Sequence, residues 1–266
     1  IGHSTQATAE GAIALGGGTN GASTNLDATA ARATGANAVA IGTNSNSADV
    51  DAVAIGRAAS AANEGDIAFG AGAIANSDVN GINAGAVAIG MSSVANNSAG
   101  AGNNSVAIGR QAIATSTAAA GSSPTAIGAF ANASGAGSQV AIGDSSTASG
   151  TDAIAIGGHA FAAGSLASGT RSTAIGQSVT AAGQSAIAIG DGSQASNTNS
   201  IAIGTGNNVS GANSGAIGDP NTITGSGSYA LGNNNSIAAN NAFAIGNNIS
   251  IAAGRDGSVG IGDGTT

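Results

Sequence analysis

Val39-Ala40-Ile41-Gly42 recurs 14 residues later as Val53-Ala54-Ile55-Gly56, and again as Val87-Ala88-Ile89-Gly90, Val106-Ala107-Ile108-Gly109, Ile187-Ala188-Ile189-Gly190 and Ile201-Ala202-Ile203-Gly204. Counting from Ile13-Ala14-Leu15-Gly16, the chain carries 16 such tetrads, and Ile1-Gly2 is the remainder of another. From Gly2 onward the tetrad glycines are spaced by 14, 26, 14, 14, 20, 19, 19, 15, 14, 19, 14, 14, 14, 14, 14 and 16 residues. A basal period of 14 with occasional insertions is a solenoid signature, each repeat being one unit stacked on its neighbours. Fourteen residues are too few for a helical hairpin, and the tetrad alternates β-branched with small side chains. Each repeat therefore predicts one coil of a parallel β-solenoid, an all-β fold with 14-residue coils and variants of 19 or 20.

Composition excludes a conventional compact core. Aromatic residues make up 2% of the 266, lysine and tryptophan are absent, and 46 positions are glycine. Stacked rungs bury many small residues by repetition where a globule would need bulk. The net charge of −8 argues against nucleic acid as a partner, since a phosphate backbone calls for a basic surface. With no cysteine there is no disulfide framework and no thiolate metal site. No apolar run reaches the length of a membrane span. Residue 1 falls inside a tetrad, so the whole of 1–266 is expected to be one repetitive domain cut from a longer protein, with 17–38 an irregular insertion within it.

Along the tetrad strand Val53 and Ile55 share one face and Ala54 the other, because side chains alternate along a strand. Both faces are apolar. A coil of two strands offers cover for only one of them, its own interior. The expectation is that the bulky pair fills that interior while the alanine face meets another chain, small side chains permitting close approach. This predicts an obligate oligomer of closed symmetry and leaves dimer and trimer open. Gly56 and its equivalents, just past the strand, suit a corner with positive φ.

After each glycine a second strand is expected, with small residues at the third and fifth places. The fourth place is polar in the short coils, for example Ser60, Thr147, Thr180 and Gln194. In the long coils it is Ile74, Val94, Ile113 or Phe161. Each insertion is therefore expected to fold back over this apolar side chain, with Val79 or Ile82, Ala99, Ala118 and Leu166 as the covering residues. Asn207, Asn221 and Asn235 recur at the third place, 14 apart, and predict a stacked amide ladder.

Chemistry is sparse. His3 and His159 lie many rungs apart and cannot act as a pair. Asp49, Asp51 and Asp66 on neighbouring coils are a candidate cation site, whereas Asp144, Asp191, Asp219 and Asp263 fit Gly-Asp turns. No serine stands in a motif with histidine, and without lysine there is no phosphate-cradling loop. The reading is that of a protein without catalytic residues or cofactor.

The form Asn104-Ser105-Val106-Ala107-Ile108-Gly109, nearly repeated at Asn199-Ser200-Ile201-Ala202-Ile203-Gly204, resembles the head repeat of the trimeric autotransporter adhesins, the YadA-like heads. The resemblance runs through almost the whole chain. It implies a left-handed parallel β-roll, a homotrimer, and a place on the outer face of a Gram-negative outer membrane, anchored through segments outside these 266 residues. It also implies partners: host matrix or cell-surface molecules, or sister adhesins in autoaggregation and biofilm formation. A passive rod-like spacer and, further off, an ice-binding solenoid are the alternatives. The irregular fourth-place column, mixing Ser, Thr, Asn and Gln, speaks against ice.

Overall fold

A computed structural model describes residues 2, 4–17, 30–77, 85–97, 104–117, 121–158 and 164–264. The chain divides into two compact units, Ile1–Ser138 and Gln139–Thr266, and each is built in the same way.

In the first unit the tetrads form one parallel sheet. Val39–Ile41 lies against Val53–Ile55 with Val39 opposite Val53, Ala40 opposite Ala54 and Ile41 opposite Ile55. Val87–Ile89 pairs with Val106–Ile108 in the same register although that coil has 19 residues. The insertion is therefore absorbed outside the strands. A second parallel sheet is made of shorter strands, Asn46–Ser47 beside Ser60–Ala61 and so on. The second unit repeats both sheets, with Ile187–Asp191 paired to Ile201–Thr205 in one and Thr180–Ala181 paired to Gln194–Ala195 in the other. Every coil is thus a tetrad strand, a corner, a second strand and a return corner, the architecture of a parallel β-roll.

The core is mostly alanine. Ala40, Ala54, Ala88, Ala107, Ala188 and Ala202, the middle residues of their tetrads, are fully buried. So are the fifth-place residues Ala61, Ala75, Ala95, Ala114, Ala148 and Ala195, which come from the opposite sheet. The bulky partners Val39, Ile41, Val53, Ile55, Val106, Ile108, Ile187, Ile189, Ile201 and Ile203 are only half-buried, as is Val87, and Ile89 is exposed. This inverts the expected assignment of faces. Branched side chains enter the interior from the second sheet, where Val209, Ile223 and Ile237 are fully buried; opposite them the tetrad strand contributes only its small middle residue, so its branched pair points outward.

Closure of the coil depends on glycine at one corner. Gly190 has φ 125°, and a Cβ built on it would stand 1.7 Å from the carbonyl oxygen of Gly204 on the next coil. No side chain fits between successive corners, so the tetrad ends in glycine at every turn.

Insertions do more than loop out. In the first unit the second strands of the long coils are lengthened, to Ile74–Asn76, Val94–Asn97 and Ile113–Ser116, against two residues in Ser60–Ala61. Asn63 donates to Asn76 at 2.9 Å and Asn76 to Asn96 at 3.1 Å, an amide chain along this added margin. The side chain of Ile74 is 41% exposed, that of Ile113 37%, and Val94 is half-buried. The proposed covering residues Val79, Ile82, Ala99 and Ala118, and Phe161 itself, lie outside the described residues. Leu166 does not cover the column. It sits in it, paired with Thr147 on one side and Thr180 on the other. The 19-residue coil from Gly157 therefore takes its extra residues before its second strand, which a count from the glycine cannot reveal. Within 17–38, residues 18–29 lie outside the described residues. Arg32–Ala33 is already a regular strand between Gln6–Ala7 and Asn46–Ser47, so the departure from the repeat is narrower than 17–38.

Candidate functional site

In each unit the outward side of the tetrad sheet carries rows of exposed or half-buried large apolar side chains. Because the alanines point inward, the first and third tetrad residues stand in two parallel columns on the outside. In the first unit the columns include Ile67 and Phe69, exposed by 38% and 52%. In the second they run through Ile187, Ile189, Ile201 and Ile203 to Tyr229, Leu231, Phe243 and Ile245, the last four all exposed. Large contiguous apolar patches of this kind mark interaction surfaces on soluble proteins.

One interruption is filled from the neighbouring rung. Gly215 replaces the branched first residue of its tetrad, and a Cβ there would lie 2.8 Å from Cδ1 and Cε1 of the Tyr229 ring. The ring of Tyr229 thus occupies the space that a side chain at Gly215 would fill, which keeps the column continuous. Only the pairing Gly215↔Tyr229 makes this visible, since the two are a coil apart in sequence.

The opposite, second sheet presents short polar side chains. In the second unit Gln194, Asn208, Thr222, Ser236 and Ser250 stand exposed in one column, each opposite the next. Beneath them runs the predicted ladder. Asn207, Asn221 and Asn235 are almost completely buried. Nδ2 of Asn221 donates to Oδ1 of Asn207 at 2.9 Å and to the carbonyl of Gly232 at 2.7 Å, and Nδ2 of Asn235 donates to Oδ1 of Asn221 and to the carbonyl of Gly246, both at 2.9 Å. Both hydrogens of each of these amides are used, which makes the ladder structural and leaves no donor for a ligand.

The acidic candidates are dispersed. Asp66 is turned into the corner and fully buried, where its carboxylate accepts from the backbone N–H groups of Asn63 at 3.0 Å, Ser77 at 3.2 Å and Ala86 at 2.8 Å. Asp49 accepts from the N–H of Val50 at 2.8 Å, and Asp51 from Nδ2 of Asn37 at 3.1 Å. The three carboxylates do not converge, and among the described residues no group of three or more His, Cys, Asp or Glu is placed to hold a metal ion. His3 and His159 lie outside the described residues. Sequence reasoning missed the role of Asp66: its position before the tetrad is filled by Ala38, Ala52 and Ala86 in other coils, and a lone acid there was the available signal.

A further exposed cluster stands at the corner after the tetrads of the first unit. The guanidinium of Arg110 lies 4.1 Å from the ring centroid of Phe130, a cation–π contact, and Met91 is exposed one coil away. Phe130 holds φ at 58°, a left-handed conformation that costs a bulky residue roughly 1 kcal/mol or more.

The family model described as YadA head domain repeat (2 copies) matches residues 1–19, 29–45, 33–59, 50–73, 82–112, 101–123, 140–160, 163–178, 167–193, 181–207 and 195–219, more than half of the chain. No curated protein matches the chain.

Proposed function

The chain belongs to the YadA-like head family of trimeric autotransporter adhesins, and on that premise we propose that it works as an adhesive head of three copies displayed on a bacterial cell surface. The family is one of adhesins and not of enzymes. The observation that carries the proposal is the apolar outer face of the tetrad sheet. Its two columns of Val, Ile, Phe and Tyr are left partly open by the described residues of the chain, and closing three copies about one axis removes them from water at about 25 cal/mol per Å². Tetrad residues Val39 to Gly42, Val53 to Gly56, Val87 to Ile89, Val106 to Ile108, Ile187 to Ile189 and Ile201 to Ile203 then form both the core, through alanine, and the interface, through the branched pair. We place the assembly on the extracellular side of the outer membrane, with the anchor in other segments of the protein.

Adhesion follows from repetition. Three second sheets facing outward offer many copies of a short polar surface at fixed spacing. Weak contacts to a matrix molecule, a host cell-surface molecule or a sister head are raised by effective concentration, and avidity can exceed a single affinity by roughly 10² to 10⁴. The regular run from Gly176 to Gly246, free of insertions, is the part of the second unit suited to act as a spacer.

The test pairs sedimentation with binding. Purified protein should sediment as a trimer at micromolar concentration, and it should bind at least one of a panel of matrix proteins or cause bacteria displaying it to aggregate. A stable folded monomer would overturn the assembly. A trimer that neither binds the panel nor aggregates cells would leave only the spacer.

A further inference from the structure

Apart from Arg32, which stands on the second sheet, and the buried Asp66, the charged residues described in each unit lie at the two edges of the tetrad sheet. In the first unit the leading corner, just after the tetrad glycine, carries Arg57 and Arg110 and no acid among the described residues. The trailing corner, just before the tetrad, carries Glu10, Asp49, Asp51 and Glu64 and no base. All six are exposed. In the second unit Asp144, Asp191, Asp219 and Asp263 stand on the leading corner, and the trailing one is mixed, with Arg171 and Arg255 beside Asp152 and Asp256.

Within one chain charges on opposite edges cannot meet, because the width of the coil lies between its two corners. A second copy removes that separation. In a cyclic assembly each contact is heterologous, so the leading edge of one copy lies along the trailing edge of the next at the same height. Arg57 begins the coil between Gly56 and Gly70, level with the return corners that hold Asp51 and Glu64. Arg255 lies on the return corner that precedes the final tetrad strand, Val259–Asp263, level with Asp263 at that strand's end.

We propose that the edges of the tetrad sheet are electrostatic seams between copies, in which Arg57 pairs with Asp51 and Glu64 of the adjoining copy and Arg255 with its Asp263. The partner is a second copy of this chain, and the inference rests on the assembly proposed above. The seams supply what the apolar columns lack. Columns of interchangeable Val and Ile tolerate sliding by one coil, whereas a copy slipped by one coil leaves Arg57 level with one acid-bearing corner in place of two.

The experiment uses the whole chain with three variants: Arg57→Glu, the pair Asp51→Arg with Glu64→Arg, and all three changes together. Fluorescently labelled copies report subunit exchange at low and high salt. Each reversal should speed exchange roughly tenfold at low salt, since exposed pairs are individually weak but recur at each of the three contacts. The triple variant, whose edges are again complementary, should return to the wild-type rate, and high salt should narrow every difference. Wild-type protein that is monomeric overturns the assembly itself. An assembled wild type with unchanged exchange in Arg57→Glu, or a triple variant no slower than the single reversals, overturns the seams and leaves the assembly standing.

Discussion

The side-chain amide of Asn221 donates to Oδ1 of Asn207 at 2.9 Å, one coil from the next inside the second unit. The same oxygen of Asn207 also accepts the backbone N–H of Asn221 at 2.9 Å. Each asparagine therefore holds its neighbour by side chain and main chain together, and a buried polar column is tolerated because it is satisfied.

Removing one rung should be felt on both sides. Asn221→Ala strips the carbonyl of Gly232 of its amide donor and takes the Oδ1 acceptor from the backbone and side-chain N–H groups of Asn235. Each orphaned buried group costs about 1–3 kcal/mol, so a loss of roughly 3 kcal/mol is expected in denaturant unfolding of the second unit. Asn221→Ser, which keeps a hydroxyl, should lose less.

The inverted faces separate two kinds of damage. Ala188→Leu drives a branched side chain into a fully buried place between the sheets and should destabilise the coil by about 1–3 kcal/mol or more, seen as earlier unfolding whatever the protein concentration. Ile189→Ser, on the outer column, should leave the fold of the coil intact and weaken assembly, seen as a transition that falls with dilution. If Ala188→Leu changed only the concentration dependence, the alanine face would be the one between copies.

Asp66 joins residues on either side of an insertion, accepting from Ser77 and from Ala86. Asp66→Asn replaces one acceptor oxygen by an NH₂ that faces backbone N–H donors, and charge-assisted hydrogen bonds are about twice as strong as neutral ones. A loss of about 2 kcal/mol is expected, concentrated in the coils around Gly70. Limited proteolysis should show faster cleavage between Ser77 and Ala86, and hydrogen exchange should show faster loss of the Ala86 amide, with the second unit unaffected.

Much of this fold is legible in the tetrads because period and alternation are local properties. A 14-residue spacing with β-branched residues two apart has few structural solutions, and the corner glycines, the inward fifth-place alanines and the asparagine ladder all follow from counting within it. Counting failed where an insertion preceded the strand. The fourth residue after Gly157 is Phe161, but the residue aligned with Thr147 and Thr180 is Leu166, and nothing local distinguishes five residues added before a two-residue strand from five added after it. The clamp at Asp66, the Tyr229 ring beside Gly215 and the charges of the two edges were also out of reach, since each joins residues at least a coil apart.

Sequence alone determined that this chain is a stack of parallel coils with one strand apolar on both sides, because a repeat of fourteen with alternating branched and small side chains admits that pattern and little else. Which side turns inward was decided only in three dimensions. Ala54 and Ile55 are equally at home away from water, but alternation lets only one side of the tetrad strand lie between the sheets, and there the small middle residue packs against the inward side chains of the second sheet, Ala61 in the first unit and Val209, Ile223 and Ile237 in the second. That fit of a small tetrad residue against the opposite sheet, and not hydrophobicity, is what puts the tetrad isoleucines outside.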